Sequence, residues 1–205
     1  MSQTKTVGIL IFDGVEVLDF CGPFEVFSVA SPPGEDRDQA LFTAYTIAPS
    51  RDLVTCAGGL LVQPHYDLSD HPRLDIVVIP GGQGTRRERL NQTTVDWIMS
   101  RSTKADLVAS VCTGSLLMGE AGLLDGGPAT THWAARDLMR ELYPTVEIVD
   151  DVRVVDRGHI ITSAGISAGI DMALHVVERL FDLETAQWTA RKMEYEWSRP
   201  EVLVV

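Results

Sequence analysis

The sequence predicts an α/β fold in which a mostly parallel central sheet is covered by helices on both faces. Three observations predict it. Runs such as TVGILIF (6–12), LDIVVI (74–79) and LVASV (107–111) are apolar almost throughout, the pattern of strands buried on both faces. Segments with helical spacing fall between the strands, and that alternation marks parallel pairing through crossover helices. No repeat, low-complexity tract or linker interrupts the 205 residues, so one domain over 1–205 is expected, long enough to bury a sizeable core.

In chain order, the strand at 6–12 comes first, and residues 15–20 lead into a helix over about 23–30, with Pro23 suited to its first turn. SPPGEDRDQ (31–39) is a loop by its Pro, Gly and charge content. LFTAYTI (41–47) reads as a strand, and 51–63 as a short hairpin turning at Gly58-Gly59. After the strand at 74–79, Pro80-Gly81-Gly82-Gln83-Gly84 can continue neither strand nor helix. Leu90, Val95, Ile98 and Met99 give helical spacing over 88–102. The strand at 107–111 runs into Cys112, followed by a helix over 113–121. A helix is expected over 132–143 and short strands at 146–149, 152–155 and 159–163, the last two joined by Asp156-Arg157-Gly158. Two consecutive helices, 167–180 and 184–196, complete the reading.

A formal net charge of −12 repels phosphate backbones, so no nucleic-acid partner is expected. No apolar stretch approaches the length of about 18 residues that a membrane span needs, and MSQTKTVGILIF reads as a first strand and not a signal peptide. Cys21, Cys56 and Cys112 are odd in number and lack CxxC spacing, which argues against a disulfide framework and a zinc site. A reducing cytoplasm is the expected location.

Four segments carry chemistry. In Ala109-Ser110-Val111-Cys112-Thr113-Gly114-Ser115 a buried strand ends at a cysteine and a helix begins at once with small residues. Such a turn lifts the side chain clear of the sheet, and the free N–H groups of the first helical turn are expected to lower the thiol pKa. The plainer reading makes Cys112 a small buried hydrophobe. In Val17-Leu18-Asp19-Phe20-Cys21-Gly22-Pro23, Asp19 is either the N-cap of a helix starting near Pro23 or a functional acid. The glycines of 80–84 sit at the carboxyl end of a strand, where their N–H groups are placed to form an anion hole for developing charge. The order is neither GxGxxG nor a Walker loop. In Ala129-Thr130-Thr131-His132-Trp133, His132 either approaches the nucleophile or is a structural histidine bonded to its neighbours. No pair of His65, His71, His159 and His175 has metal-ligand spacing.

These elements, in this order, resemble the DJ-1/PfpI superfamily over nearly the whole chain. The residues carrying the resemblance are LDFCGP (18–23), IPGGQG (79–84), SVCTGSLLMGEAGLL (110–124), ATTHW (129–133) and SAGISAGIDMAL (163–174). Within it, the Cys-Thr-Gly elbow, the Leu-Asp-x-x-Gly-Pro segment and GISAGID look like the isocyanide hydratase type. The resemblance implies a flavodoxin-like three-layer sandwich, a homodimer with the site near the subunit interface, a small-molecule substrate and no cofactor or metal. It makes Cys112 the nucleophile, Asp19 the general acid/base and Thr113 a supporting residue, with Gly81, Gly82, Gly114, His132 and Ile166 around substrate or intermediate. The departures narrow the reading. Proteases of the PfpI type place a histidine directly after the cysteine, where this chain has Thr113. The DJ-1 branch carries glutamate where this chain has Asp19, which leaves glyoxalase-like or amidase chemistry, or a redox or small-molecule sensor, as alternatives. Related regulators append a helix-turn-helix domain, for which the chain, ending at Val205, is expected to leave no room.

Overall fold

The structure is a computed structural model and describes residues 4–35 and 39–205. Part of the expected 31–39 loop and the first three residues of the N-terminal segment lie outside the described residues.

The first strand, β1, is Lys5–Leu10, and helix α1 is Val17–Val29. Strand β2 (Phe42–Ala48) follows, then the expected hairpin as β3 (Val54–Thr55) and β4 (Leu61–Val62), then β5 (Tyr66–Asp67) and β6 (Ile76–Ile79). Helices α2 (Thr85–Glu88) and α3 (Gln92–Ser102) lead to β7 (Leu107–Val111) and α4 (Gly114–Glu120). The last third holds β8 (Pro128–Ala129), α5 (Arg136–Leu142), β9 (Glu147–Ile148), β10 (Val154–Asp156), β11 (Ile160–Ser163), α6 (Ala168–Leu180), α7 (Leu183–Lys192) and β12 (Val202–Val204).

Among the described residues the main sheet has eight strands in the order β12-β10-β11-β7-β6-β1-β2-β5. Pairing is parallel from β11 to β5; β10 runs antiparallel to β11, and β12 parallel to β10. The central positions go to the strands without a polar face: every residue of β6, β7 and β11 is buried. A fully buried Ile, Leu or Val contributes about 1.5–3 kcal/mol over an exposed one, so strands such as IVVI and LVASV gain most at the centre. Helix α1 packs on α6, α6 on α7, and α4 on α2 and α3, so that helices flank the sheet as expected.

Several boundaries differ from the sequence reading. Helix α1 starts at Val17, six residues before the expected position, and Pro23 lies inside it. The expected helix over 88–102 is two helices, because Leu90 and Asn91 leave the helical path between them; Leu90 is 70% exposed and Met99 47%, so neither serves the core. The helix over 132–143 starts as a 3-10 turn at Trp133–Ala135 before α5. The expected strand at 146–149 pairs only with β8, outside the main sheet. Helix α7 stops at Lys192, short of Glu196, and the chain returns as β12 to pair with β10. The edge strands β5 and β12 have two and three residues, too few to carry a period in the sequence.

Candidate active site

Strands β1, β6, β7 and β11 deliver their carboxyl ends to one place, the edge at which open parallel sheets build sites. Cys112 follows Val111, the last residue of β7. Its φ is 58°, a left-handed backbone that non-glycine residues rarely adopt. That strain is held by the surroundings. The Cys112 N–H donates to the carbonyl oxygens of Ser163 (3.1 Å) and Ala164 (3.2 Å) at the end of β11. Its carbonyl oxygen accepts from Thr131 Oγ1 at 3.0 Å, and Ser115 Oγ lies 2.7 Å from Thr131 Oγ1. Behind the elbow, Gly114 packs directly on strand β6: a Cβ there would sit 1.9 Å from the Ile79 carbonyl oxygen. Only glycine permits that approach.

Asp19 occupies the first turn of α1 and is completely buried. It is not the helix N-cap, which is Glu16. Asp19 Oδ2 accepts the Gly81 N–H at 3.0 Å, while Oδ1 has no hydrogen-bond partner of ordinary geometry among the described residues. Gly81 stands at the crowded centre: a Cβ on it would lie 2.5 Å from the Thr113 nitrogen, 2.6 Å from Thr113 Oγ1 and 2.9 Å from Asp19 Oδ2. The carboxyl, the Gly-rich loop and the elbow are thereby in mutual contact.

Burial pushes the Asp19 carboxyl up to about 6, against the lowering effect of the Gly81 N–H and the Cys112 thiol; the Glu16 charge adds to the rise and the Ile166 N–H opposes it. Burial and the Asp19 charge push the Cys112 thiol up to about 12, against the N–H groups of Thr113 and Ile166. The expectation that helix amides leave this thiol acidic is thus corrected. Those amides do favour the thiolate, but desolvation and a neighbouring carboxylate outweigh them. The two groups act on one another's acidity and titrate as a pair. Cys112 is 6% exposed, buried among apolar residues yet next to the acid.

The remaining residues divide. Thr113 Oγ1 is occupied by the protein: it accepts the Gly82 N–H at 3.0 Å and lies 3.2 Å from Thr85 Oγ1, which itself donates to the Gly82 carbonyl at 2.8 Å. The Gly81 and Gly82 N–H groups are therefore spent on Asp19 and Thr113, and the anion hole expected from them is corrected to a clamp on the acid and the elbow. Gly114 is a buried packing residue that faces strand β6. Ile166 is 40% exposed with a φ of 53°, a conformation costly for a β-branched residue, and its N–H bears on both the thiol and the carboxyl. His132 caps the 3-10 turn, its Nδ1 accepting the Ala134 N–H at 3.3 Å, and its ring packs against Gly165. It makes no hydrogen bond to Cys112 among the described residues. Thr85, Ser115 and Thr131 also support the site, and of these Thr85 lies outside every motif of the sequence. Thr131 was legible only as part of a motif, and a hydroxyl that bonds across 19 residues leaves no local signal. Among the described residues, no group of three or more His, Cys, Asp or Glu side chains is arranged to hold a metal, and no helix is long and apolar enough to cross a membrane.

A family model described as the DJ-1/PfpI family matches residues 5–179. The isonitrile hydratase of Pseudomonas putida is 39% identical over 194 residues, covering 95% of this chain and 80% of that protein. The HTH-type transcriptional regulator GbdR of Pseudomonas aeruginosa is 26% identical over 197 residues, which are 96% of this chain and 52% of the regulator, so the chain spans about half its length. A solved structure, that of a ThiJ/PfpI family protein from Pseudomonas syringae, matches with a TM-score of 0.84 at 32% identity, over 97% of this chain and 78% of that one.

Proposed function

The chain belongs to the DJ-1/PfpI family, and from that premise we propose that it hydrates isocyanides to N-formamides, with Cys112 as nucleophile and Asp19 as acid and base. The observation that carries this reading is the buried Asp19–Cys112 pair with its mutually shifted acidities. Similarity to a relative called an isonitrile hydratase supports it.

The pair loses its first proton near pH 6 and holds the second to about 12, so at neutral pH it carries one proton and one charge. The terminal carbon of an isocyanide is electrophilic and also basic once attacked. Sulfur forms a bond to that carbon while the thiol proton passes to Asp19 and from there to the same carbon, giving a thioimidate, R–N=CH–S–Cys112. Asp19, again a carboxylate, takes a proton from water as the water oxygen adds to the carbon, and delivers that proton to nitrogen. The C–S bond then breaks, the hydroxyl proton returns to sulfur, and R–NH–CHO leaves. One carboxyl serves both steps because it gains and loses a proton in each. The N–H groups of Thr113 and Ile166 favour negative charge on sulfur. Gly81 holds the carboxyl in place, and Thr113 positions the loop that carries Gly81.

The test is formamide production from an alkyl or aryl isocyanide. Cys112→Ala is expected to abolish turnover, and Asp19→Asn to lower kcat by about 10²–10⁴-fold. Full turnover by Cys112→Ala would end the proposal. In the wild type, kcat/KM is expected to rise with pH through about 6, as the pair reaches its monoanion.

A redox sensor is the weaker alternative, because a thiol held near 12 offers little thiolate to peroxide. Glyoxalase-like or amidase chemistry is separated by assaying methylglyoxal and amide consumption beside isocyanide consumption. With this reading go a small-molecule substrate, a homodimer, a cytoplasmic location suited to three free cysteines, and no cofactor, nucleic-acid or membrane partner.

A further inference from the structure

Beside the candidate site lies a cavity of about 480 Å³ that the scheme above does not use. Its size is within the range of small-molecule sites, roughly 300–1,000 Å³. Its walls include His132, Trp133, Arg136, Arg153, Gly165 and Ile166. Two features join it to the nucleophile. Ala164, whose carbonyl accepts the Cys112 N–H, is a lining residue, and so is Ile166, whose N–H bears on the thiol and on Asp19. The segment 164–166 is therefore shared between the reacting pair and this cavity.

The walls have a distinctive chemistry. Trp133 is 73% exposed although it is the largest apolar side chain in its segment, and its ring lies 5.5 Å from that of His132 at an interplanar angle of 36°. The Arg153 guanidinium is held flat by Asp171, which is buried: Nε donates to Oδ2 at 2.8 Å, Nη2 bonds to the same oxygen, and Tyr195 donates to Oδ1 at 3.1 Å. Arg136 is held more loosely: its Nη1 donates to Asp151 Oδ1 at 3.3 Å and its Nε lies 3.3 Å from Asp150 Oδ1 without a hydrogen bond, both carboxylates being exposed. Indole, imidazole and the fixed Arg153 guanidinium plane all favour the flat face of an arene.

The geometry points to this cavity as the binding site for the substituent of the isocyanide, and to an aromatic substituent as the class it takes. This rests on the hydratase reading. The reactive carbon meets Cys112 and Asp19, and the ring lies over Ile166 against Trp133.

Two measurements test it. The first compares kcat/KM for phenyl isocyanide with that for methyl isocyanide. Trp133→Ala is expected to lower the phenyl-to-methyl ratio by about three- to tenfold, the scale of one aromatic contact, and Trp133→Phe to restore most of it. The second needs no turnover. N-phenylformamide is titrated into Cys112→Ser, and saturable quenching of tryptophan emission is expected, lost when Trp133→Phe is added. An unchanged ratio in Trp133→Ala, or quenching unaltered by Trp133→Phe, overturns the assignment. Absence of isocyanide turnover in the wild type with quenching intact sinks the hydratase reading alone and leaves the aromatic site standing.

Discussion

Burial holds the Asp19 carboxyl near 6 instead of its ordinary 3.8, and the same shift bears on folding. The native state then binds a proton that the unfolded chain releases between those two values. The stability this provides is present in full below 3.8 and is lost as pH rises through about 6. At pH 7 the loss is about 3 kcal/mol, taking about 1.4 kcal/mol per pH unit. Asp19→Asn keeps an acceptor for Gly81 and removes the charge. It is expected to be more stable than wild type at pH 7–8 by up to about 3 kcal/mol, with the difference closing toward pH 4. Denaturant unfolding across that range checks it, and a gap independent of pH would refute it. At this scale the sequence marks Cys112 and Asp19 as unusual, because a cysteine at a strand end and an acid among apolar residues are locally conspicuous. It does not reveal that both groups become weaker acids together. That depends on the contact of two side chains 93 residues apart, and no local pattern encodes their shared desolvation.

Among the elements, the elbow depends on how closely β7–α4 approaches β6. Gly114→Ala places a methyl group 1.9 Å from the Ile79 carbonyl oxygen, a contact that backbone must move to relieve. A loss of about 3 kcal/mol or more is expected, read as a fall in urea midpoint, together with a loss of turnover. A stability loss under about 0.5 kcal/mol, the range of ordinary surface substitutions, would show that the elbow yields freely. The central strands were legible because continuous apolar runs report burial on both faces, and the long helices because a period of 3.6 reports burial on one. The start of α1 was not. Pro23 looks like a first-turn residue, but the packing of α1 against α6, with Gly22 close to Ile170, holds six further residues helical ahead of it. Tertiary contact outweighed the local preference, and in doing so decided between the two readings of Asp19, cap and acid, in favour of a buried acid.

On the whole molecule, the β3–β4 hairpin is tied to the loop before α1 by Gly14 N–H to Thr55 O and Ala57 N–H to Val15 O, both 2.8 Å. It presents Leu53, Leu60 and Leu61 at 56%, 46% and 58% exposure. Three leucines left exposed on one hairpin support the proposed homodimer. Sedimentation at micromolar concentration is expected to give a dimer, and Leu60→Asp with Leu61→Asp to shift it toward monomer; a monomeric wild type would remove the proposal. The sequence by itself determined the α/β class, the central strands, and the placing of Cys112, Asp19 and the glycine loop at strand ends, since hydrophobic period and turn chemistry are local properties of the chain. Only the tertiary structure decided what those residues do to one another. Crowding around Gly81 spends its N–H on Asp19 and the Gly82 N–H on Thr113, and burial raises the pKa of carboxyl and thiol alike. Desolvation and contact across the sheet are set by distance in space, which a one-dimensional pattern does not carry.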